Sequence, residues 1–120
     1  MKRTLTPREE EVMQILWHLK HAFVKEILAE IPEPKPPYNT VSSVVRKLES
    51  EGLISHEAFG NTHRYHPILK KSAYRRKMFG KLVSDYFSDS PVDLLSHFVK
   101  EEKIDVEELK DLLDKLKEEE

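Results

Sequence analysis

The residues best suited to chemistry in this chain are the short hydroxyls and long cations between positions 38 and 50. Ser42 and Ser43 can both donate and accept hydrogen bonds, and Arg46 carries a planar cation that matches paired acceptor oxygens. No carboxylate occurs in this stretch before Glu49. Since exposed helices usually mix acidic and basic side chains, this composition favours a hydrogen-bonding, anionic partner.

The six histidines are the other candidates, as metal ligands or proton-transfer groups. However, His63 and His66 point to opposite faces of a regular strand. The sequence has no HExxH motif, no carboxylates clustered at ligand spacing and no glycine-rich phosphate loop. It has no cysteine, which excludes disulfides, thiolate zinc sites and cysteine nucleophiles. We therefore predict surface histidines, in a protein that is not an enzyme and has no metal site and no cofactor.

Three helices are predicted to position these residues, each marked by apolar residues at i, i+3, i+4 and i+7. The stripes are Val12, Ile15, Leu16 and Leu19; Val24, Ile27, Leu28 and Ile31; and Val41, Val44, Val45 and Leu48. Met13 and Trp17 are placed at the margins of the first stripe. Thr6 and Glu9 predict a capping box at the start of the first helix.

The third helix is predicted to begin at a cap formed by Asn39 or Thr40 and to end at Gly52. After it, β-leaning runs at 53–59 and 62–66 lie on either side of Gly60-Asn61, a two-residue hairpin signal. Three helices followed by a hairpin predict a winged helix-turn-helix, a mainly α fold with a small β-hairpin. We assign this domain to residues 1–69.

Residues 70–120 are predicted to form a second, helical domain. Helices are expected at 70–87, from a cap at Ser90, and from Asp105 onwards. A segment this short rarely encloses its own core, so its apolar stripes favour a dimer between two copies of the chain. The alternative is a monomer in which the segment folds back on the first domain. The predicted dimerisation residues are Leu82, Tyr86, Leu95, Phe98, Leu109, Leu112, Leu113 and Leu116.

The charge of the chain changes sign along the sequence near residue 80, about ten residues beyond the predicted domain boundary. The whole sequence has 20 Lys and Arg, 22 Asp and Glu and a net charge of −2. Residues 1–80 have a net charge of +5 and contain all six arginines, whereas residues 81–120 have a net charge of −7. A basic first part indicates a polyanionic partner for that part.

A helix-turn-helix that binds DNA places one helix in the major groove, where serine and arginine can contact base edges. The predicted DNA-binding residues are Tyr38, Asn39, Thr40, Ser42, Ser43, Arg46, Lys47, His63 and Arg64. The alternative is a protein-interaction adaptor in which the winged helix binds another protein and does not bind DNA.

The N-terminal residues lack the apolar core of a signal peptide, and no apolar run is long enough to span a membrane, so we expect a cytoplasmic protein with no membrane insertion.

The chain resembles the penicillinase repressor family, winged-helix repressors of β-lactamase and methicillin-resistance operons. The resemblance rests on Leu5-Thr6-Pro7 with Val12-Met13 and Leu16-Trp17, Val24-Lys25-Glu26-Ile27, Tyr38-Asn39-Thr40-Val41, Val44 to Leu48, Gly52-Leu53-Ile54 and Gly60 to Pro67. It implies a cytoplasmic homodimer that binds a palindromic operator in double-stranded DNA, with dimer contacts in the C-terminal helices. The family usually has Arg where this chain has Lys47, and it often has Lys where this chain has Glu51. The absence of cysteine excludes the copper-responsive mechanism of one branch of the wider family.

The resemblance also implies a mode of regulation. In the antibiotic-responsive branch, a membrane-bound sensor protease triggers cleavage of the repressor before a phenylalanine in the dimerisation region. Leu94 to Val99 resembles that stretch, with His97 where the family tends to have Asn. The resemblance therefore implies His97–Phe98 as the cleavage site, and the alternative is that Phe98 is only an aromatic residue of the dimer core.

Overall fold

A computed structural model of the protein describes residues 3–87, 90–101, 105, 107–108, 110–111 and 114–115. The chain divides into two compact units, Met1–Lys70 and Lys71–Glu120, here called the winged-helix unit and the helical unit. The elements are α1 (Pro7–Leu19), β1 (Ala22–Phe23), α2 (Val24–Glu30), α3 (Tyr38–Ser50), β2 (Ile54–Phe59), β3 (Thr62–Pro67), α4 (Lys71–Tyr86) and α5 (Pro91–Glu101). The predicted winged helix is confirmed, because three helices are followed by an antiparallel hairpin.

The start of α1 is set by its local sequence. The backbone N–H of Glu9 donates to Thr6 Oγ1 at 3.2 Å, and the N–H of Thr6 donates to Glu9 Oε1 at 2.8 Å. Pro7 lies in the first turn, where its missing N–H leaves no helical bond unmade. The predicted capping box is therefore confirmed.

The core of the winged-helix unit lies between its helices and its sheet. Its buried apolar side chains are Leu5, Val12, Met13, Leu16, Ala22, Val24, Ile27, Ile31, Val41, Val45, Leu48, Leu53, Ile54 and Tyr65. The placement of Met13 at the margin of the α1 stripe was wrong, because Met13 is fully buried and Ile15 is only half-buried. The reason is that α1 packs against β3 as well as α3, which turns its buried face towards Met13.

The start of α3 differs from the prediction. Neither Asn39 nor Thr40 is the cap; the N-cap is Pro37, and no side chain caps this helix. Pro37 has the extended backbone of a cap residue (φ −59°, ψ 150°), and its carbonyl accepts from the N–H of Thr40 at 3.0 Å. Tyr38, Asn39 and Thr40 therefore lie within the first turn of α3, where all three are exposed.

The hairpin follows the predicted turn and register. Gly52 has φ +78° after the end of α3, and Gly60 has φ +61° in the turn between β2 and β3. Both angles lie in the left-handed region that glycine adopts without strain. Phe59 pairs with Thr62 beside the turn, which is the register of a two-residue hairpin loop.

A third strand, β1, was not predicted from the sequence. The sheet has the order β1-β3-β2, with Ala22 opposite Tyr65 and Phe23 opposite Arg64. β1 has only two residues, so it offers no alternation to detect. It pairs with β3 and so connects the start of α2 to the wing, meaning the hairpin of β2 and β3.

Two long-range side-chain contacts close the winged-helix unit. Trp17 Nε1 donates to the carbonyl of Leu69 at 2.8 Å, which joins α1 to the segment after β3. Arg3 donates to both carboxylate oxygens of Glu9, at 2.7 and 2.6 Å, and through Nε to Glu51 at 2.9 Å. These bonds tie the N-terminal segment to α1 and to the end of α3.

The helical unit begins with α4 and α5. The hydroxyl of Ser90 accepts from the N–H of Asp93 at 3.2 Å, so the predicted cap of α5 is confirmed. Asp105 Oδ1 accepts from the N–H of Glu108 at 2.7 Å, at the predicted start of the last helix. The apolar residues assigned to that helix, Leu109, Leu112, Leu113 and Leu116, lie outside the described residues. In the part of the chain that is described, no helix has the length and apolar character needed to cross a membrane.

Candidate nucleic-acid interface

The outer face of α3 carries most of the predicted binding residues. Asn39, Ser42, Ser43 and Arg46 follow one another at i, i+3, i+4 and i+7, which places them on one side of the helix. The opposite side is fixed to the core by the buried apolar stripe of α3. Ser42 is half-buried and the other three are exposed. The core therefore holds this polar face outward.

Arg46 lies along this face in a loosely held position. Its Nε donates to the carbonyl of Ser42 at 3.4 Å, and its Nη2 donates to Ser43 Oγ at 3.3 Å. Both distances are at the long end for hydrogen bonds, and both contacts are exposed. The guanidinium can therefore leave these serines for a stronger acceptor such as a phosphate or the edge of a guanine.

Lys47 lies at the edge of α3 and differs from Arg46 in its surroundings. Its Nζ is 3.8 Å from Glu9 Oε2, and its side chain is 58% exposed. The ammonium is thus within ion-pair range of α1, beyond hydrogen-bond distance, and in contact with solvent. It is a cation at the border of the polar face.

On the wing, Arg64 is held by an aromatic ring. Its Cζ lies 4.7 Å from the centre of the Phe59 ring, and its Nη2 is 3.6 Å from Glu57. The Phe59 ring in turn makes an edge contact with Phe23, with 5.8 Å between ring centres. β1 therefore supports the ring that orients this arginine.

His63 lies on the other face of the sheet and joins the wing to α3. Its ring stacks on that of His56 with 3.9 Å between centres, and His56 Nδ1 is bonded to the carboxylate of Glu49. Tyr65 lies beside both rings, and burial raises the pKa of its phenol. This contact fixes the wing next to the end of α3.

An open groove of about 730 Å³ separates the first turns of α3 from the tip of the wing. Tyr38 and Ser42 line it from α3, and Asn61 and His63 line it from the wing. Lys25, at the start of α2, also lines it. The structure thus brings Tyr38, Ser42 and His63 together around one concave surface. Arg64 and Lys47 do not line this groove.

Sequence reasoning missed three residues that contact the predicted binding residues or line the groove beside them. Phe59 orients Arg64, His56 connects the wing to α3, and Lys25 adds a cation to the groove. A signal existed only for Phe59, since an aromatic ring and an arginine on paired strands can form a cation–π contact. Among the described residues, no group of three or more histidines and carboxylates is placed to hold a metal ion.

The winged helix has an outward polar face on its third helix, with one basic side chain on that face and another on the wing. This combination defines a class of proteins, the DNA-binding transcriptional regulators. The family described as Penicillinase repressor matches residues 5–118. The chain therefore belongs to the penicillinase repressor family and is a transcriptional repressor.

The chain is also similar to curated proteins of staphylococci and a related genus. Each is described as "Methicillin resistance regulatory protein MecI", from Staphylococcus aureus strain N315, Staphylococcus epidermidis and Mammaliicoccus sciuri. The identity is 24% over 115 residues in each case, covering 92% of this chain and 94% of the relative. The similarity therefore extends over both units of the chain.

Proposed function

We propose that the protein is a homodimer that represses transcription by binding a palindromic operator in double-stranded DNA. The observation that carries the proposal is the outer face of α3, where Ser42, Ser43 and Arg46 project from a helix that the core holds in place. Such a helix enters the major groove. Two copies related by a two-fold axis require half-sites about one or two turns of DNA apart.

The proposed contacts fall into two kinds. Ser42, Ser43 and Arg46 contact base edges, because they lie on the outer face of α3 beyond its first turn, whereas Asn39 lies within that turn. The other predicted residues contact the sugar-phosphate backbone, which fixes register without reading sequence. These backbone residues are Tyr38, Asn39, Thr40, Lys47, His63 and Arg64.

Exposed apolar side chains of the helical unit support the dimer. Phe79, Leu82 and Tyr86 are spaced i, i+3, i+7 on α4 and are 47%, 38% and 76% exposed. Val92 at the start of α5 is exposed as well, whereas Leu95 is half-buried. Exposed apolar side chains at this spacing are stabilised when they pack against another surface, and in our proposal that surface is a second copy.

Binding can be measured by fluorescence anisotropy with a labelled duplex taken from upstream of the protein's own gene. If each dimer contacts about six phosphates, affinity falls roughly a thousandfold between 50 and 200 mM salt.

Arg46→Ala should weaken binding and relax preference at one base pair per half-site, by about 1–3 kcal/mol. Arg8→Ala is the matched control, since Arg8 pairs with Glu11 within α1 at 2.5 Å. Salt-independent binding, or an Arg46→Ala variant equal to the control, would favour the adaptor function instead.

We further propose that repression in the cytoplasm is relieved by proteolysis at His97–Phe98, triggered by a membrane-bound sensor protease. The relatives' description as methicillin resistance regulators supports this branch of the family. His97 is exposed on α5, and its ring lies 5.7 Å from that of Phe87. Incubation with the activated sensor, followed by sequencing of the fragments, tests the site. An intact chain, or a cut at another bond, contradicts it.

A further inference from the structure

Four charged side chains meet where the N-terminal segment passes the end of α3. Glu9 Oε1 accepts from Arg3 Nη1 at 2.7 Å, and Glu9 Oε2 accepts from Arg3 Nη2 at 2.6 Å. Arg3 also bonds Glu51, directly after α3. Lys47 Nζ lies 3.8 Å from Glu9 Oε2, so it is the second cation beside the same carboxylate.

The Glu9 carboxylate needs a cationic partner, because its side chain is only 3% exposed. An ionised carboxylate removed from water is costly unless it is paired and hydrogen-bonded. Arg3 supplies a two-pronged pair, the geometry in which a guanidinium binds a carboxylate best. With both oxygens bonded to Arg3, Glu9 does not require a hydrogen bond from Lys47.

Without Arg3, Lys47 is the cation nearest to Glu9 among the described residues. Its flexible stem can shorten the 3.8 Å separation to a hydrogen bond. The ammonium would then point towards α1 instead of solvent. A lysine held in this way no longer extends beyond the border of α3.

We propose that Arg3 is a positioning residue for operator binding: by satisfying Glu9, it keeps the Lys47 ammonium available for a DNA phosphate. The proposal rests on the proposed function, in which Lys47 contacts the sugar-phosphate backbone. It assigns to the N-terminal segment a role in binding that does not require this segment to touch DNA.

The first test uses the full chain without DNA. Brief acetylation with acetic anhydride, followed by mass spectrometry, gives the reactivity of the Lys47 amine relative to Lys20 and Lys25. In Arg3→Ala the relative rate for Lys47 should fall about tenfold, the effect of one charge-assisted hydrogen bond. In Arg3→Ala with Glu9→Gln it should recover, because a neutral amide attracts the ammonium less. An unchanged acetylation rate of Lys47 in Arg3→Ala overturns this proposal, but it does not contradict the proposed function in operator binding.

The second test measures the salt dependence of operator affinity in Arg3→Ala, Lys47→Ala and the double variant. Each single variant should lower the slope of log affinity against log salt by about 0.9 per protomer, and the double variant should lower it no further. Additive losses would mean that Arg3 contacts phosphate itself, and they overturn the proposal. An unchanged slope in Lys47→Ala overturns both the proposal and the phosphate role of Lys47.

Folding of each variant is checked by the fluorescence of Trp17. If Arg3→Ala does not fold, Arg3→Lys is used, which keeps the charge and loses the two-pronged geometry. In Arg3→Lys the acetylation rate of Lys47 should be intermediate. It should be lower than in wild type and in the variant rescued by Glu9→Gln, but reduced by less than the tenfold expected for Arg3→Ala. Reactivity equal to wild type in this variant overturns the proposal.

Discussion

Glu9 remains ionised at neutral pH although its side chain is almost fully buried. Its hydrogen bonds to Arg3, together with those to Thr6, lower the pKa of the carboxyl to about 2, against 4.5 for an unperturbed glutamate. The same contact raises the pKa of the Arg3 guanidinium. The charged pair therefore contributes to stability only while Glu9 is ionised.

This coupling predicts a pH dependence of stability. A carboxyl with a lowered folded-state pKa stabilises the fold above its unfolded-state pKa, and that contribution disappears as pH falls through the folded-state value. The free energy of unfolding should therefore decrease between pH 4.5 and about 2. Urea titrations of wild type and Glu9→Gln at several pH values measure this decrease. The variant keeps every other carboxyl, so the difference between the two profiles is due to Glu9. Parallel pH profiles for the two proteins would contradict the role of Glu9.

On the wing, Phe59 should matter for binding through Arg64. Arg64→Ala removes the proposed phosphate contact and should lower the salt slope of operator affinity by about 0.9 per protomer. Phe59→Ala removes the ring 4.7 Å from the guanidinium and should raise the dissociation constant while leaving the slope nearly unchanged, because the charge remains. If Phe59→Ala lowers the slope as much as Arg64→Ala does, the ring does more than orient the arginine.

Residue contacts could be predicted from the sequence where both partners lie within one turn of chain. Thr6 and Glu9 are three positions apart, so their capping box follows from the local pattern. The bond from Arg3 to Glu51 joins positions 48 apart and depends on how α3 packs beside α1. Local rules were also insufficient at Pro37, because Asn39 is the better cap by residue type and only the packed helix selects Pro37.

At the scale of elements, the end of α3 depends on one glycine conformation. Gly52 has φ +78°, and Gly80 lies inside α4 with open space where a Cβ would be added. Gly52→Ala should destabilise the winged-helix unit by about 1–2 kcal/mol, because alanine is strained in the left-handed region. Gly80→Ala should increase helicity and stabilise the helical unit by roughly 0.5–1 kcal/mol.

These two glycine variants are matched controls for each other, since each adds one methyl group. Urea unfolding followed by fluorescence and by circular dichroism measures both. A destabilisation in both variants would show that the added methyl group, rather than the backbone angle, is responsible.

The helices were predictable because each carries its own apolar stripe and end signals, as Gly52 illustrates. The strand β1 was not, because Ala22 and Phe23 become a strand only by pairing with Tyr65 and Arg64, more than 40 positions later. The outer face of α3 was predicted from residue types at helical spacing. The support that Phe23 gives to Arg64 through the Phe59 ring was not predicted, because Phe23 lies on the strand β1, which was itself not predicted.

At the scale of the whole molecule, the proposed dimer makes a direct prediction for α4. Leu82→Glu places a charge on the exposed apolar face of α4 and should weaken self-association by tenfold or more, that is by at least about 1.4 kcal/mol. Ser84→Glu is the matched control, since Ser84 is exposed on α4 away from that face. Sedimentation equilibrium measures both. An unaffected Leu82→Glu dimer would place the interface elsewhere.

Weakened association should also weaken operator binding, because a dimer holds its second half-site at high effective concentration. Leu82→Glu should therefore bind the full operator more weakly while its affinity for a single half-site stays unchanged. The Ser84→Glu control should retain both affinities. Equal losses on full and half operators would point to damage in the winged-helix unit instead.

Trp17, whose indole N–H donates to the carbonyl of Leu69, is the single tryptophan of the chain. Its emission, excited at the red edge where tyrosine does not absorb, therefore reports on the winged-helix unit. Circular dichroism reports on helices of both units. If the two signals separate during unfolding, the winged-helix unit and the helical unit melt as separate cooperative blocks, and one optical scan gives the order in which they come apart.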